Sequence, residues 1–356
     1  MSSGGITQLV AIGAQDVWLT GKPEVSFFRS TYKRHTNFAH VVQRQVIQGA
    51  VNPAAMSSIR LERKGDLVSY VYLTKRNQAV PSRQINFAAT DIDHIDFLIG
   101  GQVIDSQDNT FINSVAESYL SSSEQKAQFT QSGQTGIFYP LRFWFCENWQ
   151  SALPLVSLQY HDVEIRIYWS SSITGTNIFE AWANFIVLDT AEREDFAMRP
   201  QNHLVYQVQK QTASGTKVQN LVFNHPIKFI TTGFITNCLI GSSNPTPTAN
   251  NNIDSMLLQI NGVDIGEQKT YTPHFDIIPN YYHCPVVTTP PSSGAQAFLI
   301  PFCLDTNKIQ PTGTLNFSRI DSARLVSSNN FINTLYAVNY NILKIENGMG
   351  GLLYAN

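Results

Sequence analysis

Apolar residues along the chain occur in short runs in which every second position is Val, Ile, Leu, Phe or Tyr. In residues 163–169 (VEIRIYW), Glu164 and Arg166 share one face and the apolar residues share the other. This period of two is typical of a β-strand with one buried face. Similar runs, separated by Gly, Pro, Asn and Ser, are SYVYLTKR, HIDFLIGGQVID, YPLRFWFCE, ANFIVLD, HLVYQVQKQ, PIKFITTGFI, MLLQINGVDI, AFLIPFCLD, GTLNFSRID and LYAVNYNILKI. So many short strands with regular turn signals predict an all-β sandwich.

Helical periodicity is scarce by comparison. The predicted helices are FINSVAESYL (111–120), AEREDF (191–196) and HFDIIPNYY (274–282). Three stretches rich in small and polar residues predict exposed loops, at residues 121–136, 241–252 and 288–296.

The second half of the chain echoes the first at a nearly constant spacing. The offsets between matching positions are 161, 157, 157 and 155 residues, for Ile99-Gly100-Gly101 with Ile260-Asn261-Gly262, Phe145-Cys146 with Phe302-Cys303, Leu158-Gln159-Tyr160 with Leu315-Asn316-Phe317, and Val187-Leu188 with Ile342-Leu343. A fixed period signals repeated architecture, so we predict a duplicated unit of roughly 160 residues. Each half then holds about eight strands, the number in a jelly roll of two Greek keys.

Charge is concentrated in residues 192–202 (EREDFAMRPQN), where Pro200 also interrupts the pattern. We place the boundary between the halves there. The predicted organisation is an N-terminal arm over residues 1–24, a first jelly roll over 25–200 and a second over 201–356.

An aromatic and basic ribbon occupies residues 13–39, GAQDVWLTGKPEVSFFRSTYKRHTNFA. If residues 25–35 form a strand, Phe28 and Tyr32 share the face opposite Arg29 and Lys33. The ribbon is then an ordinary first strand, with its aromatics in the sandwich core and a basic outer stripe. A nucleic-acid arm would instead need exposed aromatics for stacking and more basic residues nearby.

The composition is poor in charge, with 43% hydrophobic and only 14% charged residues. A typical soluble domain has about 25% charged residues. Much of the surface is therefore expected to be buried against other subunits or coated by Ser, Thr, Asn and Gln. The net charge of -2 and the pI near 6.4 argue against a protein whose main task is binding nucleic acid.

The sequence contains no apolar run near the roughly 18 residues of a membrane span. The apolar patch in MSSGGITQLVAIGAQD has no Lys or Arg before it, so no secretory signal is predicted. The four cysteines lack CxxC spacing and are expected to be buried free thiols. We expect the chain to be made in the cytoplasm of a cell.

Signatures of catalysis and of cofactor binding are mostly absent. The chain has no HExxH helix, no GxxxxGK[ST] phosphate loop and no GxSxG elbow. The carboxylates with the best claim to acid–base work are Glu147, Asp162 and Glu164, but the polar face of a strand is the simpler interpretation of Glu164. We predict no catalytic residue and no cofactor.

Two groups of residues have partial metal-ligand character. His283-Cys284 together with Cys303 offers three ligands but no fourth, and zinc sites usually contain close ligand pairs. Asp91, Asp93 and Asp96 form a DxDxxD pattern that lacks the Gly and terminal Glu of an EF-hand loop. We therefore predict no metal site. The single N-x-[ST] sequon, at Asn316, lies in a predicted strand, and no glycosylation is predicted there.

Three segments carry a resemblance to a known family. Residues 8–39 contain GAQDxxLTGxP followed by FFxxxYKRHTNF, and GTLNFSRIDSARL (313–325) and YAVNYNILKIENGMGGLLYAN (336–356) follow in order. These segments resemble the N-terminal signature, a late strand and the C-terminal ending of the major capsid proteins of nucleocytoplasmic large DNA viruses. The resemblance spans nearly the whole chain.

The resemblance implies a fold and a structural role. The fold would be two consecutive eight-stranded antiparallel jelly rolls, with short helices in loops. Three chains would form a pseudo-hexagonal capsomer that tiles an icosahedral shell, so the protein would reside in the virion. Residues before about Pro23 would contact minor capsid proteins at the inner face. The loops at 241–252 and 288–296 would lie on the outer surface, where host glycans could bind, and no specific nucleic acid is implied.

Other functions remain open at this point. The chain is short for the family, so a minor capsid paralogue of the same fold is one alternative. A glycan-releasing hydrolase built from two jelly rolls would need acidic residues converging between the domains. A carbohydrate-binding protein would present aromatics in its loops, yet the three predicted loops contain only one, Phe129.

Overall fold

A computed structural model describes residues 13–80, 85, 87, 91–121, 138–173, 177–232, 255–285 and 298–354. The strands, named β1 to β21 in chain order, are Phe38–Gln45, Ile47–Gln48, Met56–Arg60, Leu67–Asn77, Ile92–Ile99, Gln102–Asp108, Phe138–Pro140, Leu153–Pro154, Val163–Trp169, Asn177–Leu188, Gln201–Gln211, Val218–Asn220, Pro226–Thr232, Ser255–Ile260, Val263–Asp264, Lys269–Thr270, Leu299–Pro301, Leu315–Asn316, Ala323–Ser327, Leu335–Glu346 and Met349–Leu352.

Helices are short and lie between the strands. They are Val17–Thr20, Phe111–Leu120, Trp144–Glu147, Thr190–Met198, Tyr271–His274 and Ile277–His283, with 3-10 turns at Ala14–Asp16, Trp149–Ser151 and Phe317–Arg319. Phe111–Leu120 has the wide hydrogen-bonding pattern of a π-helix. All three predicted helices are confirmed, although the third is divided into Tyr271–His274 and Ile277–His283. No helix in the described ranges is long and apolar enough to cross a membrane.

The strands form four antiparallel sheets, two in each half of the chain. The first half contains β1-β10-β4-β7, with β8 also on β4, and β2-β3-β9-β5-β6. The second half repeats this plan as β11-β20-β13-β17, with β18 also on β13, and β12-β19-β14-β15. The first and last long strands of each half are therefore neighbours, as the jelly-roll topology requires. We call the two units the first roll and the second roll.

The same tight turn marks both rolls and confirms the repeat at the level of the backbone. Gly100 and Gly101, between β5 and β6, have φ of 57° and 82°. Asn261 and Gly262, between β14 and β15, have φ of 51° and 78°. Two consecutive positive φ angles define a two-residue hairpin turn whose twist matches that of the strands, which explains why Gly or Asn occupies these positions.

The core of each roll lies between its two sheets. The alternation in β9 places Val163, Ile165, Ile167 and Trp169 inside, while Glu164 is partly exposed. Larger side chains also fill the first roll, and the Phe97 ring lies 5.2 Å from the Phe143 ring. Each such fully buried side chain contributes about 1.5–3 kcal/mol. The second roll has its own cluster, which includes Met256, Ile230, Phe298, Leu325 and Phe331.

The predicted strand at residues 25–35 is wrong. Residues 1–37 form a separate unit, and its described part has no strand. Phe28 is fully exposed and Tyr32 is 86% exposed, so neither side chain lies in a core. Both faces of the expected strand mix aromatic with polar or basic residues, so neither face is apolar enough to be buried. The first strand begins at Phe38 instead.

Two predicted strands are much shorter than expected. In YPLRFWFCE the strand ends at Pro140, and Trp144–Glu147 is helical. Phe143, Trp144 and Phe145 are all buried in succession, which a strand with alternating faces does not allow. In GTLNFSRID only Leu315–Asn316 is a strand. The predicted loops at 121–136, 241–252 and 288–296 lie outside the described residues, except for Ser121.

Candidate functional site

The three carboxylates considered for acid–base chemistry are each neutralised by a different arginine. The ion pairs are Glu147 with Arg142 at 3.0 Å, Asp162 with Arg60 at 2.6 Å, and Glu164 with Arg166 at 3.0 Å. A general acid or base must lie within hydrogen-bond reach of the proton that it transfers. The three carboxylates do not converge on one site: the Glu147 pair is largely buried, whereas both members of the Asp162 pair are more than half exposed.

The aspartates of the DxDxxD pattern also point to different partners. Asp91 pairs with Lys75 at 2.6 Å, Asp93 with His94 at 2.7 Å, and Asp96 accepts a hydrogen bond from Ser106 at 2.6 Å. Asp91 lies just before strand β5 and is buried, whereas the Asp93 side chain is 70% exposed, so the three do not form one ligand set.

The thiols and the histidine in the second roll are engaged in local contacts. Nδ1 of His283 lies 2.8 Å from the carbonyl oxygen of Cys303, and Sγ of Cys284 lies 3.4 Å from Asn280. Burial raises the pKa of Cys284 to about 12, which keeps it a neutral thiol. Within the described residues, no group of three or more His, Cys, Asp or Glu could hold a metal ion. Asn316 is exposed, and its side chain accepts a hydrogen bond from the Ser318 amide at 3.0 Å.

The junction between the two rolls brings together residues that are far apart in the sequence. Val208, Val338 and Phe229 lie opposite one another on strands β11, β20 and β13 and form a row across the sheet. Val338 and Phe229 belong to the hydrophobic cluster of the first roll, although the second roll contributes them. Both are 0% exposed. The outer face of this sheet is therefore buried by the first roll.

The helix Phe111–Leu120 provides most of the aromatic cover. The Phe111 ring lies 5.9 Å from the Tyr336 ring, and the Tyr119 ring lies 5.7 Å from the Phe229 ring. Such aromatic pairs contribute about 0.5–1.5 kcal/mol beyond the area that they bury. The junction is thus packed like a domain core.

A polar seam runs beside this apolar contact, along strand β6. Asp105 accepts hydrogen bonds from the Val208 amide at 2.9 Å and from the Gln107 side chain at 2.7 Å. Burial raises the pKa of Asp105 to about 7. Asp108 accepts from the Tyr336 hydroxyl and pairs with Lys210, both at 2.8 Å. These bonds fix the register between the two rolls.

The seam ends at a buried cation. Nζ of Lys228 lies 5.6 Å from the centre of the Tyr340 ring and donates to the Lys308 carbonyl at 3.2 Å. Burial lowers the pKa of Lys228 to about 8. The Tyr206 hydroxyl donates to the Arg142 carbonyl of the first roll at 2.9 Å. Cys303 and Asp305 act on the amine in the opposite sense and only partly offset the effect of burial on its pKa.

Comparison with known proteins identifies what this architecture is used for. The family model for the N-terminus of major capsid proteins matches residues 26–198, and the model for the large eukaryotic DNA virus major capsid protein matches residues 192–351. The major capsid protein of Pyramimonas orientalis virus is 32% identical, with 99% of this chain and 100% of the relative aligned.

The chain belongs to the major capsid proteins of large eukaryotic DNA viruses.

Solved structures agree with this assignment. VP54 of PBCV-1 matches with a TM-score of 0.76 and 27% identity, over 93% of this chain and 100% of VP54. The Faustovirus major capsid protein matches in fold, with a TM-score of 0.64 and 13% identity. The capsid chain is therefore a double jelly roll and a structural component of the virion shell, as the sequence resemblance implied.

The N-terminal unit of the capsid chain is unusually apolar for an exposed segment. Trp18 and Leu19, within helix Val17–Thr20, are 92% and 88% exposed, and Phe27 beyond the helix is 94% exposed. This unit therefore presents large apolar side chains at its surface.

Sequence reasoning missed the junction of the capsid chain almost entirely. Asp105 and Asp108 stand in the run HIDFLIGGQVIDSQD, and their polar neighbours Ser106 and Gln107 make this segment look like the solvated end of a strand. Only the pairing with the second roll buries them, and no local pattern signals that pairing.

Proposed function

We propose that the chain assembles as a homotrimer that forms a pseudo-hexagonal capsomer and tiles an icosahedral capsid. The observation that carries this proposal is the side-by-side packing of two rolls of the same topology within one chain. If the same relation repeats between chains, three copies supply six rolls in a closed ring. The low charge supports the proposal, since flanks buried between subunits are depleted of charged residues.

We further propose that the N-terminal unit binds minor capsid proteins at the inner face of the shell. Its exposed Trp18, Leu19, Phe27 and Phe28 provide aromatic and aliphatic groups of the kind that dominate binding energy at interfaces. The outer loops, including residues 241–252 and 288–296, would face the exterior, where host glycans could bind. The proposed role requires no catalytic residue, cofactor, metal ion or sequence-specific nucleic acid.

The first test is the native mass of the purified protein by light scattering on a sizing column. We expect a mass of three times the 39.8 kDa chain that persists on dilution. A stable monomer at all concentrations would contradict the trimer. The arm is tested separately: deletion of residues 1–24 should leave the trimer intact and abolish incorporation of minor capsid proteins into particles.

A further inference from the structure

The junction within one chain consists of two unlike surfaces. One is the outer face of the second roll's sheet β11-β20-β13, and the other is strand β6 with the helix Phe111–Leu120 of the first roll. A contact between two unlike surfaces is heterologous. Because the two rolls are built alike, the second roll, which uses its sheet face, keeps an unused helix surface, and the first roll, which uses its helix, keeps an unused sheet face. The chain should therefore carry a free copy of each surface, one on each roll.

The second roll has its own copy of the covering helix. In the first roll, β6 leads directly into Phe111–Leu120, and in the second roll β15 and β16 lead into Tyr271–His274 and then Ile277–His283. The first copy is buried, with Phe111 at 0% and Tyr119 at 1% exposed. In the second copy Tyr281 is 73%, Tyr282 is 72% and Ile277 is 49% exposed.

The first roll has an uncovered copy of the receiving sheet face. Sheet β1-β10-β4-β7 corresponds to β11-β20-β13-β17, and Trp182 lies opposite Tyr72 on its outer face. The Tyr72 ring lies 6.3 Å from both the Tyr70 and the Phe138 rings. Tyr70 is 41% and Phe138 is 36% exposed, whereas Phe229 and Val338 at the matching face of the second roll are fully buried.

The two uncovered surfaces are also complementary in charge. Arg44 and Arg76 flank the aromatic patch and share one carboxylate, Glu180, which leaves an excess positive charge. The segment from Val263 to the helix contains Asp264, Glu267 and Asp276 with a single lysine, Lys269. Opposite charges across an interface favour correct orientation of the partners.

We propose that the helix Ile277–His283 of one copy covers the outer sheet face of the first roll of the next copy, with Tyr281 and Tyr282 against Tyr70, Tyr72 and Phe138. The occupant of each surface is thus a second copy of this chain. The contact reproduces between chains the junction already present within one chain. This inference rests on the proposed capsomer and names the surfaces that hold it together.

The first experiment compares the native masses of the wild type and the double variant Tyr281→Glu/Tyr282→Glu. We expect the trimer dissociation constant to rise by about a hundredfold or more, the loss typical of central aromatic anchors. The matched control is Val222→Glu, which adds a charge at a position that is 77% exposed and outside both surfaces. Far-ultraviolet circular dichroism and the melting temperature verify that all variants fold.

The outcomes separate this inference from the capsomer itself. A wild type that never forms trimers would refute the proposed function. A trimeric wild type with an equally stable Tyr281→Glu/Tyr282→Glu trimer would leave the capsomer standing and overturn the assignment of its surfaces. Loss of the Val222→Glu trimer together with the double variant would also overturn the assignment, because the effect would not be specific to the helix.

A second experiment tests the direction of the contact. Because the free thiol of Cys146 lies in the same groove as Tyr72, the experiment uses a background whose four native cysteines are replaced by alanine. In that background we expect Tyr72→Cys alone and Tyr281→Cys alone to give no cross-link between chains under mild oxidation. An equimolar assembly of the two should give a disulfide-linked pair, and the chain with both substitutions should give linked trimers. Cross-linking of either single variant to itself would show that like surfaces meet and would refute the heterologous arrangement.

Discussion

The two rolls share one topology, yet the outer face of sheet β11-β20-β13 is buried in the second roll, whereas the equivalent face of sheet β1-β10-β4 is open in the first roll. In the second roll this face carries Phe229 and Val338 and is sealed by the first roll. In the first roll it carries Tyr70, Tyr72 and Phe138, which are amphipathic or only partly covered. On the buried face the polar groups have partners within the chain, such as the Tyr336 hydroxyl on Asp108. On the open face the tyrosines are amphipathic, so their rings can pack while their hydroxyls meet water.

Connectivity explains the difference. The helix Thr190–Met198 joins the rolls directly, so the inner junction forms within one chain at a high effective concentration. The equivalent contact proposed between chains would depend on protein concentration. The first interface would thus form during folding and the second during assembly.

The largest expected effect comes from truncating the Phe229 side chain on the buried sheet face of the second roll. Phe229→Ala should lower the free energy of unfolding by about 3–5 kcal/mol, because it leaves a cavity between the rolls. Tyr72→Ala, on the open face, should cost less than about 1 kcal/mol in the monomeric Tyr281→Glu/Tyr282→Glu background. Urea unfolding monitored by tryptophan fluorescence measures both, and equal losses would mean that the two faces do not differ in this way.

The second effect is a dependence of stability on pH through Asp105. Its pKa is raised from 3.8 to about 7 by burial, so the native state binds the proton more tightly than the unfolded state. The contribution of this proton to the free energy of unfolding is complete below about pH 3.8 and is lost as pH rises through 7. The free energy of unfolding should therefore fall by about 2–3 kcal/mol between pH 5 and pH 8 through Asp105.

The matched variant for this effect is Asp105→Asn, which cannot titrate. The unfolding free energy of the wild type minus that of the variant should fall as pH rises from 5 to 8. A difference that stays constant from pH 5 to pH 8 would show that Asp105 is ionised throughout this range.

The third effect concerns the seam beside Asp108. Asp108→Ala should cost about 2 kcal/mol, because the Tyr336 hydroxyl and the Phe111 amide lose a buried acceptor. The control is Asp162→Ala, which breaks a pair with Arg60 in which both side chains are more than half exposed, and should cost under about 0.5 kcal/mol. Chemical denaturation ranks the two, and a reversed order would contradict a structural role for the seam.

The smallest effect compares the two hairpin turns. Gly100→Asn should cost about 1–2 kcal/mol, since a Cβ atom there would lie 2.6 Å from the His161 ring even though Asn tolerates the positive φ. Asn261→Gly, the reverse change in the second roll, should cost under about 1 kcal/mol. The melting temperatures of the two variants measure which substitution costs more. A Gly100→Asn variant as stable as wild type would show that the His161 side chain moves aside without cost.

The parts of the fold that could be predicted are those set by local pattern. The period of two identified strands such as β9. The Gly-Gly and Asn-Gly pairs indicated the repeat, but the runs that contain them were each predicted as one strand and are hairpins of two strands. The prediction failed at Phe143-Trp144-Phe145, where several neighbouring elements bury successive residues at once. It also failed at residues 25–35, where strand-like composition has no partner strand.

Two matching pairs in the repeat were also misaligned. Leu315–Asn316 pairs with β13 as Leu153–Pro154 pairs with β4, so its structural counterpart is not Leu158-Gln159-Tyr160. Pro301 lies opposite Phe229 as Pro140 lies opposite Tyr72, so the counterpart of Phe302 is Leu141 and not Phe145. Residues of the junction could not be predicted for a related reason. The burial of Asp105 and Val208 depends on how the two rolls meet, and this relation leaves no periodic signal in either segment.

The turns between β5 and β6 and between β14 and β15 have the same backbone conformation but different residues, so the two rolls have the same fold and different surfaces. In the proposed capsomer of three chains, first and second rolls would alternate around the rim, so its symmetry would be threefold although its outline would be hexagonal. Rotation of one such capsomer by 60° would then present different side chains to each neighbour. A lattice of these capsomers would therefore distinguish two orientations of the same unit, and the shell would acquire boundaries wherever that orientation changes.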